Sequence, residues 1–138
     1  MAFVDDLVTK LQTDGVGTLG VNIFVGSRTS QPVKSFPILH IKKTGGTSPE
    51  QTQNATLRPA FLQPGAQIVA VHQDADVAEA YASSAYYSLG QVRNEFINSG
   101  WYRRIRCLQE PYDISVNDDE QSQFVFNVLA EYNRRDLP

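Results

Sequence analysis

The strongest constraint on the fold is an alternation of apolar and other side chains near the C-terminal end. Residues 124–132 read FVFNVLAEY, so every second side chain from Phe124 to Tyr132 is apolar or aromatic. A period of two residues is the pattern of a β-strand that buries one face. We therefore expect a strand here, within a sheet that buries that face.

Four other segments are rich in β-branched and aromatic residues, which favours strands. They are residues 20–26, 36–42, 66–71 and 101–108. In the first segment Val21, Ile23 and Val25 are expected to point to one face and Phe24 to the other. Together with residues 124–132, these segments predict five strands.

Two further segments place apolar residues three or four positions apart, which is the spacing of one helix face. The first predicts a helix over residues 2–13 that ends at Asp14 and Gly15, because glycine accepts the left-handed conformation at a helix end. The second predicts a helix from about residue 75 to the middle nineties, with Asp74 as its N-cap. Its apolar positions are Val77, Tyr81, Ala85, Leu89, Val92 and Phe96.

The predicted order of elements is α-β-β-β-α-β-β, which favours an α+β fold. We expect a single domain over residues 1–138, with a mostly antiparallel sheet of four to five strands and both helices packed on one face. The last two strands are expected to form a hairpin, through a link that contains Pro111 and an acidic turn at residues 117–120.

Residues 44–64 are too polar and too rich in Gly and Pro to form a helix or a core strand. Loops of this length inside a small domain are usually functional or disordered. The segment has one Glu, one Arg, which is Arg58, and no His, Cys or Asp, whereas a catalytic lid would normally bring an acid, a base or a phosphate cradle. Near its end Leu57, Phe61 and Leu62 need cover from their own domain or from a neighbour. We therefore expect a contact arm that is mobile in the isolated protein and ordered in an assembly.

No residue pattern predicts catalysis or a cofactor. His40 and His72 lack metal-binding spacing and are expected to be strand residues, and the lone Cys107 is expected to be a small buried hydrophobe. Residues 42–48 contain paired glycines, but the lysines precede them, so a turn is favoured over a phosphate-binding loop. We predict no enzyme activity, no cofactor, no metal and no small-molecule substrate.

The formal net charge is −3, from 15 acidic and 12 basic residues, and does not favour a nucleic acid partner. The N-terminal residues have no apolar run typical of a signal peptide, and no segment is long and apolar enough to span a membrane. We expect a soluble, non-secreted protein without a membrane partner.

Basic and aromatic residues share the segment 101–108. Trp101 and Tyr102, with Arg103, Arg104 and Arg106, are compatible with a platform on which single-stranded nucleic acid stacks. The alternative is an edge strand whose charges limit aggregation or make subunit contacts. On that alternative, Arg104 and Arg106 meet acidic residues of a neighbouring subunit, and Arg104→Glu weakens the contact while leaving the fold intact.

Several short motifs follow one another in a characteristic order along nearly the whole chain. An amphipathic helix is followed by a strand that ends in Val25 and Gly26, a Gly-Gly loop and a further strand. A helix around Asp76 and Ala80 follows, and an acidic turn leads into the closing strand FVFNVLAEY. This order resembles the tail terminator family of tailed bacteriophages, whose members are also described as minor capsid or tail completion proteins.

The resemblance implies a structural protein that caps the growing tail tube as a ring, usually of six subunits. Such a ring ends tail polymerisation and offers a docking surface to the head or neck connector. The implied partners are copies of the chain itself, the tail tube protein and the connector protein, with genome DNA passing through the lumen without specific recognition. The implied location is the tail or neck of the virion, and the host cytoplasm during assembly.

Two alternatives remain beside this hypothesis. One is a head completion or neck protein, which also joins head to tail, and the other is a small domain that binds single-stranded nucleic acid. For a ring, the residues that we expect at subunit or tail contacts are Leu57, Arg58, Phe61, Leu62, Arg104 and Arg106.

Overall fold

The computed structural model describes residues 2–26, 37–46, 62–98, 100–116 and 121–134. Its elements are α1 (Ala2–Thr13), β1 (Ile23–Val25), β2 (Ile38–Thr44), β3 (Gly65–His72), α2 (Ala75–Gly90), β4 (Arg93–Ile97), β5 (Gly100–Cys107), β6 (Tyr112–Val116) and β7 (Ser122–Arg134). In these ranges neither helix combines the length and the apolar character that crossing a membrane requires.

The described strands form one seven-stranded sheet in the order β1-β2-β3-β7-β5-β4. β7 lies at its centre, with β3 along one side and β5 and β6 one after the other along the opposite side. Every neighbouring pair is antiparallel except β1 and β2. The prediction of a single α+β domain with a mostly antiparallel sheet is therefore confirmed.

Both helices pack on the same face of this sheet, as predicted. The ring of Phe3 in α1 stacks on Tyr132 of β7, with centroids 6.2 Å apart, and the ring of Tyr86 in α2 meets Phe126 of β7 edge-on at 5.7 Å. Phe126 and Tyr132 are an even number of residues apart on one strand, so they point to the same face. The alternation in β7 thus supplies the buried face of the sheet.

The helix ends follow the predicted local chemistry. Gly15 has a φ of 76°, and the chain leaves α1 through the left-handed conformation that glycine accepts. Asp74 caps α2, since its Oδ1 accepts a hydrogen bond from Asp76 N at 2.9 Å. His72 also contributes here, because its Nδ1 accepts from Asp74 N at 3.0 Å.

The second helix is shorter than predicted, because the chain becomes a strand after Gly90. Val92 is buried, but Phe96 lies on β4 and is 57% exposed, so its helical spacing with the apolar face of α2 is coincidental. Asn94 has a φ of 50°, which asparagine tolerates and a right-handed helix does not contain. Asn98, with a φ of 54°, then turns the chain from β4 into β5. The sequence prediction missed this strand.

The predicted link between β5 and β7 contains a second missed strand, β6. It continues the line of β5 along β7 after a break at residues 108–111. At the break, Gln109 Oε1 accepts a hydrogen bond from Asn127 N at 3.0 Å, so a side chain replaces a strand partner. The antiparallel pairing of β5 with β7 is confirmed, but the two strands are not consecutive, because β6 lies between them in the chain. The acidic turn predicted at residues 117–120 lies outside the described residues.

The first predicted strand is also shorter than expected. β1 contains only Ile23–Val25, and the chain before it forms a turn in which Thr18 O accepts hydrogen bonds from Asn22 N and Ile23 N. Ile23 is fully buried, whereas Val21 and Val25, which were predicted to point to the same face, are exposed. Val21 lies in the turn, and Val25 is the last residue of β1 at the edge of the sheet.

Candidate interaction surfaces

A β-bulge brings two consecutive arginines of β5 onto one carboxylate of β7. The register between the two strands shifts between Tyr102 and Arg104, which makes Arg103 the extra residue. Arg103 Nε donates to Glu131 Oε1 at 2.7 Å, and Arg104 Nε donates to Glu131 Oε2 at 2.6 Å. Each oxygen of the carboxylate therefore has a charged donor.

The two arginines keep Glu131 ionised in a buried position. Its side chain is only 7% exposed, whereas those of Arg103 and Arg104 are 42% and 43% exposed. Burial by itself raises the pKa of Glu131, but the hydrogen bonds from Arg104 and Arg103 and their positive charges outweigh it and lower the pKa below its usual value. This cluster of three charges holds β5 against β7.

The cluster changes what can be expected of the predicted contact residues on β5. Arg104 has its acidic partner in its own chain, and Arg104→Glu would place a second carboxylate beside Glu131. We therefore expect that substitution to destabilise the fold, contrary to the expectation from sequence. Arg106 is exposed and lies opposite Leu129 of β7, so it remains a residue that a neighbour can reach.

The aromatic residues of β5 are used within the domain. Tyr102 is fully buried and its ring stacks on Tyr132 at 4.9 Å, while Trp101 packs edge-on against Phe96 of β4, also at 4.9 Å. A stacking platform for nucleic acid needs open ring faces beside free cations. With Tyr102 buried and two of the three arginines bound to Glu131, β5 gives that alternative little support.

The end of the predicted contact arm is bound to its own domain. Leu62 N donates to Tyr132 O at 2.8 Å and Tyr132 N donates to Leu62 O at 3.0 Å, while Ala130 N donates to Pro64 O at 3.0 Å. Leu62 is partly buried against the core, so its cover comes from its own chain. Leu57, Arg58 and Phe61 lie outside the described residues.

Two groups of exposed apolar side chains lie at opposite edges of the sheet. One group, the β1 patch, lies on and just before β1, and the other, the β6 patch, lies on and just before β6. The β1 patch is Leu19, Val21 and Val25, and the β6 patch is Leu108, Tyr112 and Ile114. Between 40% and 54% of each of these six residues is exposed. Grouped exposure of this kind is typical of protein–protein contact sites.

The charges beside the two patches have opposite signs. Lys42 and Lys43 are exposed on β2, where β1 has already ended, and so lie at the edge that carries the β1 patch. Glu110 and Asp113 are exposed on and before β6. Each apolar patch therefore has a charged rim, as protein interfaces usually do.

The sequence prediction missed both patches for identifiable reasons. The sequence pattern places Val21 and Val25 on the same strand face as Ile23, which is buried, and it places residues 112–116 in a link. The signal for β6 was the short alternation YDISV, in which Tyr112, Ile114 and Val116 are apolar or aromatic.

The described part of the chain also has a cleft between the end of α1 and α2. It has a volume of about 580 Å³, and its lining includes Asp14, Tyr81 and Ser88. Ser88 Oγ donates to Asp14 Oδ2 at 2.6 Å, and Lys10 Nζ lies 3.5 Å from the same oxygen, so the carboxylate of Asp14 links α1 to α2. In the described ranges no three His, Cys, Asp or Glu side chains come together in a way that could hold a metal ion.

Comparison with known proteins adds no assignment to this geometry. No protein-family model matches the chain, and no curated protein matches it. The two patches and their charges are therefore the features on which a function can be argued.

Proposed function

We propose that this chain is a structural virion protein that caps the phage tail tube as a ring, ends tail polymerisation and offers the docking surface for the head or neck connector. We propose the tail as the place of action because the order of motifs resembles that of tail terminators. The proposal includes no catalytic step and no specific reading of the DNA that passes through the lumen.

The observation that carries this proposal is the position of the two apolar patches at opposite edges of one sheet. A closed ring is built from heterologous contacts, in which one surface of each subunit meets a different surface of the next. A symmetric dimer needs only one patch that is complementary to itself. Two different patches on opposite edges are what a ring requires.

Electron microscopy of the purified protein mixed with the tail tube protein of the same virus tests the proposal. We expect rings of the protein at tube ends, and tubes that stop growing when it is added. Tube protein alone is the control and should continue to polymerise. A protein that stays monomeric and leaves tube ends bare would contradict the proposal.

The same experiment distinguishes a tail terminator from a neck protein. A neck or head completion protein is expected to bind the connector and to leave tube length unchanged. Oligonucleotide binding that weakens steeply with salt would instead favour the nucleic acid hypothesis.

A further inference from the structure

We infer that the ring contact joins the β1 patch of one copy to the β6 patch of the next, with Lys42 of the first copy beside Glu110 of the second. This inference rests on the proposed function, because it names the heterologous contact that the ring needs. It commits to a second copy of this chain as the occupant of both patches.

The two patches lie within one residue of the same level along the strands, because Phe24 is the neighbour of Val25 in β1. Phe24 of β1 pairs with His40, which pairs with Val69, which pairs with Val125, which pairs with Tyr112 of β6. One straight row of five cross-strand partners thus joins the two edges of the described sheet. A neighbour rotated about an axis parallel to the strands therefore presents its β1 patch within one residue of the level of the β6 patch.

Opposite charges also lie at one common level, on opposite edges of the sheet. Lys42 pairs with Gln67, and Gln67 pairs with Asn127. Asn127 N donates to Gln109 Oε1, so Gln109 and the adjacent Glu110 lie at the level of Lys42 on the opposite edge. The rotation that brings the two patches together also brings Glu110 towards Lys42.

Strand directions agree with this arrangement. β1 is parallel to β2, and three antiparallel pairings separate β2 from β6, so β6 runs opposite to β1. The edge of β6 and the edge of β1 in the next copy are then antiparallel neighbours. At the β1 edge the contact is made by side chains, because the backbone of Ile23 is already paired. Ile23 N donates to Thr18 O, and Ile23 O accepts from Gly20 N.

Charge also selects this contact over a symmetric one. Pairing two β6 patches would bring Glu110 and Asp113 of both copies together, and pairing two β1 patches would do the same to Lys42 and Lys43. Like charges facing each other across a contact oppose association. Only the pairing of unlike patches sets acids against lysines.

Charge reversal tests the pairing directly, with subunit association measured by sedimentation at low salt. Lys42→Glu and Glu110→Lys are each expected to weaken association about 5- to 10-fold, since an exposed ion pair becomes a repulsion. The double variant Lys42→Glu with Glu110→Lys is expected to recover most of the loss. Failure of the double variant to recover, after two weakened single variants, would overturn the pairing.

A substitution in the apolar patch tests the contact independently of charge pairing. Ile114→Lys is expected to weaken association about 10- to 100-fold, because it places a charge where an apolar side chain is covered. Tyr87→Lys is the matched control, since Tyr87 is 65% exposed on α2 and belongs to neither patch. Circular dichroism of each variant separates lost association from lost folding. If Ile114→Lys is unfolded, Ile114→Ser replaces it.

Cross-linking distinguishes unlike from like pairing. In a Cys107→Ser background, Val25→Cys and Tyr112→Cys are made separately and treated with a short bifunctional maleimide. Neither single variant is expected to form a covalent dimer alone, whereas a mixture of the two is. Dimers from either variant alone would overturn the unlike pairing.

The outcomes separate this inference from the proposed function. If the native protein forms rings on tube ends but the patch and charge variants assemble normally, the contact lies elsewhere and only the inference fails. If the native protein forms no oligomer in the presence of tube protein, the proposed function fails as well.

Discussion

Glu131→Gln tests whether the charge cluster at the bulge holds β5 against β7. The substitution keeps the shape of the side chain but removes its charge, and an amide offers one acceptor oxygen where the carboxylate offers two. One of the two arginines, Arg103 or Arg104, then loses its acceptor and faces an NH₂ group. The variant therefore isolates the electrostatic part of the contact.

The expected loss follows from the burial of the three groups. Removing one partner of a fully buried ion pair costs about 3–5 kcal/mol, and a hydrogen bond to a charged group contributes about 1.5–3 kcal/mol. Because Arg103 and Arg104 are 42% and 43% exposed, water can solvate them in the variant. We therefore expect a loss of about 2 kcal/mol in the free energy of unfolding at neutral pH, or a fall of about 5–8 °C in Tm.

The loss should depend on pH in a defined direction. The pKa of Glu131 is lowered on folding, so its contribution is complete above the unfolded value of about 4.5 and disappears as the pH falls through the lower folded value. Urea unfolding of the native protein and of Glu131→Gln should then differ by about 2 kcal/mol at pH 7. The difference should shrink as the pH approaches about 3.

A matched control and a clear negative result complete the test. Glu95→Gln makes the same chemical change in an ion pair with Lys10, where Glu95 is 37% exposed and the separation is 3.7 Å. Lys10 is 14% exposed but keeps Asp14 as a second acidic partner at 3.5 Å, so Glu95→Gln should change stability by only about 0–1 kcal/mol. Equal effects of the two substitutions at pH 7, or a Glu131→Gln effect that stays constant down to about pH 3, would refute the reasoning.

Three smaller predictions concern the core and the thiol. Tyr102→Phe is expected to lower the free energy of unfolding by about 1–3 kcal/mol, because Tyr102 Oη donates to the buried Asp6 Oδ2 at 2.6 Å; an unchanged urea midpoint would contradict this. Gly17→Ala is expected to cost about 1–3 kcal/mol, since the added Cβ would lie 2.5 Å from Tyr81 Oη; a thermal scan that superposes on that of the native protein would rule it out. Burial raises the pKa of Cys107 to about 11, so a thiol-specific reagent near pH 8 should react about 100-fold more slowly with the folded than with the unfolded protein; equal rates would show the thiol to be accessible and ionised.

Local chemistry explains the parts of the fold that the sequence predicted. The helix over residues 2–13, the Asp74 cap and the buried face of β7 depend on residues that are neighbours along the chain or recur at fixed spacing. Such signals persist in any tertiary context that buries the apolar face. They were enough to predict an α+β fold with both helices on one face.

The cluster at Glu131 could not be predicted in the same way. In a regular strand Arg103 and Arg104 point to opposite faces, and this assumption underlies the expectation that Arg104 meets a neighbour. The bulge removes the alternation locally and turns both side chains towards one carboxylate. Its position depends on how β5 pairs with β7, which is a property of two segments and not of either one alone.

The edges of the described sheet differ in how they are protected from pairing with other chains. β4 presents Arg93 and Asn94 to solvent, and its exposed Phe96 packs edge-on against Trp101. The turn before β1 bonds to the backbone of Ile23. Charged side chains and covering turns are common ways to prevent edge strands from pairing with other chains. β6 instead exposes Tyr112 and Ile114. Apolar side chains on this strand edge are expected to be covered in the assembled state, so substitution of the β6 patch should affect assembly more than folding.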